Sequence, residues 1–258
     1  MIKIAVVTGC ASFLGTAFTT KLLENGWYVY GIDKLTYVAN DNIVEELQNN
    51  YSKFRLIVED ICEIKWLPEC DVIFNFAAES DVDNGNKNCK NFIRSNIDGV
   101  RNLLEIVNSR IVTKANKPLF FQISTDEVYG DLNKKNQGSK EGDAYLPSSP
   151  YSASKASADH LVRSWSRTYG IKYNITCSSN NFGPFQNEEK FIPVVIKNII
   201  NNKKIPIYGN GLQKRNWIYV KDNADAIIRV ALKGKNNSTF NIGTKNDFTN
   251  LSLVKMII

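Results

Sequence analysis

Residues 3–8, Lys-Ile-Ala-Val-Val-Thr, form a short apolar run that ends in the turn-forming segment Gly9-Cys10-Ala11-Ser12-Phe13-Leu14-Gly15. A helical pattern follows from Thr16 to Asn25, Gly26 stops it, a second apolar run spans Trp27 to Ile32, and Asp33 comes directly after. Apolar runs this short, bounded by turn signals, predict buried strands. Two such strands joined through a helix fit a parallel pair with a crossover connection. The glycine turn brings backbone N–H groups and a helix N-terminus to one point, which suits a pyrophosphate. A carboxylate closing the second strand suits ribose hydroxyls. The order strand, glycine turn, helix, strand and acid therefore predicts a dinucleotide site in which Gly9, Ser12, Phe13, Leu14 and Gly15 meet the phosphates, with Asp33 favouring NAD over NADP. Ser12 holds the middle place of the Gly-x-x-Gly-x-x-Gly spacing, where it either crowds the cofactor or donates its hydroxyl to a phosphate. An ordinary strand-to-helix turn without cofactor is the alternative.

Further strands are expected at 54–58, 71–76, 119–123 and 172–177, and helices at about 91–108 and 152–169. Such alternation predicts an α/β fold, a Rossmann-type doubly wound parallel sheet with helices on both faces. Asp60-Ile61 and Ala77-Ala78-Glu79-Ser80 close two of these strands and are expected to line the adenine and nicotinamide sides of the cleft. After Cys177 the chain becomes turn-rich, with short mixed elements. Residues 1–177 are read as the NAD-binding domain and residues 178–258 as a partial substrate-binding lobe interleaved with it.

The chain has 258 residues, 43% of them hydrophobic, enough for a sizeable core. Its net charge of +6 comes from scattered lysines among many asparagines, with no basic arm, so nucleic acid is not an expected partner. The five cysteines include no Cys-x-x-Cys pair and His160 is the single histidine, which argues against a metal site and for a reduced, cytoplasmic protein. The apolar run Ile4 to Val7 is too short for a signal peptide, and no stretch approaches the length of a membrane span.

Chemistry concentrates between Ile123 and Lys155. Ser124, Thr125, Asp126 and Glu127 stand in succession at the C-terminal end of an expected strand, the edge where open α/β sheets bind ligands. Tyr151 and Lys155 are one helical turn apart on one face. Taken singly, the carboxyl groups could be capping residues and the Tyr/Lys pair a surface pair.

On these residues the chain resembles the extended short-chain dehydrogenase/reductases, within them the NAD-dependent epimerase/dehydratase family, and most closely the nucleotide-sugar 4,6-dehydratases. The matching segments are Asp33-Lys34-Leu35-Thr36, Ala77-Ala78-Glu79-Ser80, Ser124 to Gly130, Ser149 to Lys155 and Pro206-Ile207-Tyr208-Gly209. Asp126-Glu127 is the narrower signal, because related epimerases and decarboxylases are not expected to carry both carboxyl groups. The resemblance implies a hydro-lyase that converts a nucleotide-glucose to the 4-keto-6-deoxyhexose, dTDP-glucose favoured and UDP-glucose possible, with NAD as a bound catalytic group. It implies that Tyr151, its phenol activated by Lys155, takes the C4 hydroxyl proton, that Glu127 removes the C5 proton, that Asp126 protonates the departing C6 hydroxyl, and that Thr125 holds the C4 oxygen. It places Lys34, Leu35, Thr36, Ser80, Ser95 and Asn181 near the cofactor with the residues named above, and Ser80, Thr125, Asn180, Lys190, Phe191, Pro206, Tyr208, Arg215 and Asn241 on the sugar nucleotide. It also implies a homodimer built on the helices near 91–108 and 152–169.

Three departures stand against the family pattern: Ser12, Asp81 where the family carries His, and the end at Ile258, which leaves residues 249–258 as an apolar helix with nothing evident to pack on. They keep open a non-catalytic nucleotide-binding homologue beside the dehydratase, with epimerase or decarboxylase chemistry as a third reading.

Overall fold

The computed structural model describes residues 3–80, 89–112, 117–131, 138–207 and 209–258. Seven parallel strands form the main sheet in the order β3-β2-β1-β4-β5-β6-β9. They are β1 (Ile4–Thr8), β2 (Tyr28–Asp33), β3 (Phe54–Val58), β4 (Val72–Asn75), β5 (Leu119–Thr125), β6 (Tyr173–Ser178) and β9 (Ser238–Ile242). A smaller sheet joins β7 (Asn180–Phe182), β8 (Lys214–Tyr219) and β10 (Asp247–Thr249) in the order β10-β8-β7. The main sheet grows outward in both directions from β1 and β4, so the crevice at their C-terminal ends is the topological switch point.

Alternate residues of the central strands feed two cores. Ala5, Val7, Phe74 and Phe121 face a core closed by α1 (Phe13–Glu24), α2 (Asp41–Asn50) and α6 (Val220–Lys233), through Phe18, Leu22, Leu47 and Ile227. Val6, Ile73 and Phe120 face a second core, closed by α3 (Gly99–Val112) and α4 (Pro150–Tyr169) through Leu103, Leu104, Ala158 and Val162. The helices α5 (Phe191–Ile200) and α7 (Asn250–Ile257) belong to the part of the chain that follows β6.

Several elements differ from the sequence expectation. The first helix begins at Phe13 instead of Thr16, because the Ser12 hydroxyl caps it by accepting the Gly15 N–H at 3.1 Å. The helix expected over 91–108 is interrupted: a short turn at Lys90–Phe92 leads into a π-helical turn at Ile93–Asp98, and α3 follows. The widened turn carries a buried Asn96 that is bonded to neighbouring elements, the usual signature of a π-bulge with a task. The final helix is not unsupported. Thr249 caps it, Leu253 and Val254 are buried, and it packs on α5 and β10.

A buried polar ladder crosses the middle of the sheet just before the site. Thr8 Oγ1 donates to Asn75 Oδ1 at 2.6 Å, and Asn75 Nδ2 donates to Gln122 Oε1 at 2.9 Å, all three side chains being fully buried. Thr8 Oγ1 also accepts the Ala77 N–H at 3.3 Å, so the ladder ties β1, β4 and β5 to the loop behind the phosphate turn. Asn75→Ala leaves the Thr8 and Gln122 groups unpaired inside a cavity and is expected to cost about 2 to 4 kcal/mol of unfolding free energy. Urea denaturation measures this, and an unchanged midpoint would mean that the ladder does not constrain the fold.

Candidate active site

The phosphate turn leaves no room for side chains at its ends. Gly9 has φ of +69°, and a Cβ there would lie 2.7 Å from the Ala77 nitrogen; one on Gly15 would lie 1.9 Å from the Gly9 carbonyl oxygen. The Ser12 hydroxyl is engaged within the turn itself. Its Oγ donates to the Gly9 carbonyl at 2.7 Å and accepts from Gly15, so the hydroxyl proton is used inside the turn. Helix-start N–H groups lack intrahelical partners, and the Ser12 hydroxyl takes only that of Gly15, which leaves those of Phe13 and Leu14 for an anion. Asp33 is aimed at the same mouth. Its Oδ2 accepts from the Ala11 N–H at 3.0 Å and its Oδ1 from the Leu35 N–H at 2.9 Å, with the Lys34 N–H as a further donor to the carboxylate. Burial pushes its pKa up while these bonds hold it down. Leu35 has φ of +52°, the strained backbone of a tight corner, and the Thr36 carbonyl accepts the Ala39 N–H within it. Both the confined turn and the oriented acid fit NAD.

Asp60, expected on the adenine side, is tied into ion pairs at the end of β3. Lys34 lies 3.6 Å from its carboxylate and Arg94 3.0 Å, so it is the centre of a surface ion network. Ile61 beside it is buried against Gly99. Ala77 is half-buried, Ala78 and Ser80 are exposed, and Ser95 lies in the π-helical turn.

At the end of β5 the chain turns sharply into a 3-10 helix, Asp126–Tyr129, with Thr125 as its cap: the Thr125 Oγ1 accepts the Glu127 N–H at 3.3 Å and contacts Asp126 Oδ1 at 3.4 Å. Both carboxyl groups are thereby held near one another in a partly buried corner. Burial, then the Glu127 charge, pushes Asp126 up to about 6. Glu127 is also raised by burial, but the Arg215 and Lys190 cations oppose this. Both carboxyl groups therefore hold a proton more readily than a free one, Asp126 up to about pH 6, and Glu127 is the one that both cations act on.

Tyr151 is brought to the same corner by α4. Ser149 caps that helix in a reciprocal capping box with Ser152, and Pro150 supplies the first helical residue, which places Tyr151 in the first turn. Burial raises the phenol well above its ordinary pKa, and Glu127 and Asp126 raise it further. Lys155, expected to activate the phenol, is buried, its Nζ donates to the Ile123 carbonyl at 2.6 Å, and burial lowers its own pKa; that bond uses one of its three N–H donors.

On the opposite wall Lys190 Nζ donates to the Ser80 carbonyl at 3.2 Å, joining two expected substrate contacts across the cleft. Arg215 is exposed and acts on both carboxyl groups. Phe191 stacks on Trp217 with centroids 6.4 Å apart, Asn180 is half-buried on β7, and Pro206 is exposed. Asn181 is held by Asn223 at 2.9 Å and by the Ser179 carbonyl. Asn241 is turned to other work: Tyr129 Oη donates to its Oδ1 at 2.9 Å, and its Nδ2 donates to the Ser139 carbonyl at 3.0 Å, which leaves little of its amide for a sugar. Tyr208 and Asp81 lie outside the described residues.

Two residues of the site carry no mark that the sequence makes plain. Asn96 donates to Ser154 Oγ at 2.8 Å and to the Glu79 carbonyl at 3.0 Å, tying α4 to the loop after β4. In so asparagine-rich a chain it gives no signal. Asp159, fully buried, accepts from Ser124 Oγ at 2.7 Å; its spacing of four from Lys155 was the available clue.

A parallel sheet with a pyrophosphate cradle at its switch point and an acid pair beside a Tyr/Lys helix defines a dinucleotide-dependent enzyme. Residues 5–243 match the NAD dependent epimerase/dehydratase family, and the chain belongs to it. A dTDP-glucose 4,6-dehydratase of Haemophilus influenzae is 41% identical over 98% of this chain and 78% of its own length. The structure of a dTDP-glucose 4,6-dehydratase from Bacillus anthracis in complex with NAD superposes with a TM-score of 0.87 at 36% identity, over 99% of this chain and 80% of that one. A Bacillus cereus UDP-glucuronic acid 4-epimerase in complex with NAD gives 0.87 at 28% identity, over 98% and 81%.

The Asp126 carboxyl carries a stability cost with a definite sign. Its pKa of about 6 lies above its ordinary 3.8, so the ionised form is disfavoured in the folded state. The penalty is present above the folded value and vanishes below the unfolded one. Asp126→Asn is expected to stabilise the protein by about 1 to 3 kcal/mol at neutral pH, with the gain disappearing as pH falls from about 6 to about 4. Thermal unfolding across that window checks it; a gain that does not depend on pH would contradict the assignment.

Proposed function

We propose that this chain is a nucleotide-sugar 4,6-dehydratase that acts on a nucleotide-glucose, with dTDP-glucose the favoured substrate. The observation that carries the reading is the Thr125-Asp126-Glu127 turn facing Tyr151, with the two carboxyl groups in different electrostatic settings. Bound NAD supplies the oxidation at C4 and the matching reduction at C6. A C4 ketone makes the C5 proton acidic, so elimination then needs one base and one acid. Glu127, its charge favoured by Arg215 and Lys190, is the base for C5. Asp126, with its proton retained up to about pH 6, is the acid for the departing C6 hydroxyl. Thr125 and Tyr151 meet the C4 oxygen: Tyr151, as phenolate, takes the C4 hydroxyl proton as hydride leaves C4, and the raised phenol pKa makes it a strong base that holds that proton. Gly9, Ser12, Phe13, Leu14, Gly15, Asp33, Lys34, Leu35, Thr36, Ala77 and Ala78 hold the cofactor, and Lys190, Arg215, Phe191, Asn180 and Pro206 the sugar nucleotide.

We also infer a division of labour, residues 1–177 for the cofactor and 178–258 for the substrate, and a cytoplasmic homodimer. The dimer reading is supported by Ile93 and Tyr169, large side chains exposed on the π-helical turn and on α4. Among the described residues no helix is long and apolar enough to cross a membrane.

Purified protein supplied with NAD and dTDP-glucose is expected to form the 4-keto-6-deoxy sugar, read by its absorbance in alkali, with UDP-glucose the slower alternative. Glu127→Gln and Asp126→Asn are each expected to lower kcat by about 10² to 10⁴. No product from any nucleotide-hexose would sink the reading, and Asp126→Asn with near-normal turnover would point to epimerase or decarboxylase chemistry instead.

A further inference from the structure

One buried charge beside the site has no part in the roles above. Asp159 is fully buried on α4, one turn beyond Lys155 and two beyond Tyr151, so the three share a face. Its Oδ2 accepts from Ser124 Oγ at 2.7 Å, from the strand that carries Thr125, and from Tyr145 Oη at 3.1 Å. Arg163 Nη2 donates to that same Tyr145 oxygen at 2.8 Å, with the guanidinium over the Tyr145 ring. The second oxygen, Oδ1, is buried with no hydrogen-bond partner among the described residues. A carboxylate sealed from water with an unsatisfied oxygen is costly, and it persists where it compensates another buried charge. Arg163 is already committed, by its bonds to Tyr145 and to Thr239 Oγ1 at 3.1 Å. Lys155 has one carbonyl for three donors.

We propose that Asp159 is a positioning residue for the dehydratase reaction: it is the counter-charge that keeps Lys155 an ammonium in a corner closed to water, and it acts on Tyr151 through Lys155 as well as by its own charge along the same helix face. This rests on the reading of the site given above. The groups that face the pair are few. Lys155 meets the Ile123 carbonyl from β5 and lies in the field of Cys177 from β6, besides Asp159. Asp159 meets Ser124 from β5, Tyr145 from the loop before α4, and Lys155 and Arg163 from its own helix, and it acts on the Cys177 thiol. Among these, Asp159 is the largest influence raising the Lys155 pKa against burial, and Lys155 in turn holds Asp159 down. The coupling is reciprocal, so removing either partner must move the other.

The test reads that reciprocity directly and does not need turnover. Whole protein labelled with ¹³Cγ-aspartate is titrated by NMR, with the Asp159 resonance assigned from Asp159→Asn. In Lys155→Met the midpoint is expected to rise by about one pH unit or more, because the cation that favoured the carboxylate is gone; an unmoved midpoint overturns the proposal even if the enzyme is a dehydratase. In steady state Asp159→Asn is expected to lower kcat about tenfold or more with KM and bound NAD retained, to shift the kcat–pH profile, and to be partly rescued by Asp159→Glu. A purely structural role would lower the yield of folded protein and leave that profile where it was, which also overturns the proposal. Should Asp159→Asn fail to fold, the Asp159 resonance is assigned by difference in Lys155→Met and Ser124→Ala, and the titration decides. Absence of wild-type activity on every nucleotide-hexose would reject the dehydratase reading, while the titration would still decide whether the two charges are coupled.

Discussion

The bond from Lys155 Nζ to the Ile123 carbonyl joins the two halves of the chemistry. One half, Thr125-Asp126-Glu127, rides on the end of β5; the other, Tyr151, rides on the first turn of α4. They are separated by more than twenty residues of chain, and a buried ammonium 2.6 Å from a strand carbonyl holds them in register. Ser124 to Asp159 repeats the link one turn further along the helix, and Asn96 to Ser154 adds a third from the π-helical turn. Because these contacts are buried, each has few alternatives, and the site inherits the rigidity of the core.

That rigidity allows like charges to be kept together. Asp126 and Glu127 are neighbours in a partly buried turn, where two carboxylates repel and burial penalises both. The exposed cations resolve the conflict unequally: Arg215 acts on both groups, and Lys190 on Glu127. The smaller lobe, which carries both cations, thus gives the two carboxyl groups different electrostatic settings. The same lobe reaches across the cleft through Lys190 to Ser80. Substrate wall and electrostatic tuning are one structure.

Much of this was readable from the chain. The parallel sheet was legible because buried strands appear as short apolar runs at helical intervals, and six of its strands lie within about two residues of their expected positions, the usual uncertainty of element ends, while the edge strand β9 was not foreseen. The helix break at Ile93–Asp98 was not, since a π-bulge leaves no compositional mark and is fixed by the bonds Asn96 makes in three dimensions. The α2 helix and the small sheet went unassigned because their apolar residues are few and are buried only by neighbours distant in sequence, as Val44 and Leu47 are. Of the site residues, the glycines, Asp33, Thr125, Asp126, Glu127, Tyr151 and Lys155 stood at spacings that local rules explain. The partners of Asp60 and Asn241, Arg94 and Lys34 for one and Tyr129 with Ser139 for the other, could not be read locally because they come from remote parts of the chain.

The sequence by itself determined the class of fold, the phosphate turn, and which side chains carry acid, base and phenol, because strand length, glycine spacing and helical periodicity are local properties. Only the tertiary structure decided how those groups behave. It used the Ser12 hydroxyl as a helix cap, turned the Lys155 ammonium to a strand carbonyl, bonded the buried Asp159 to Ser124, and pushed Asp126 up to about 6. Each of these depends on burial and on which charges come within a few ångströms, quantities that exist only once the chain has closed on itself.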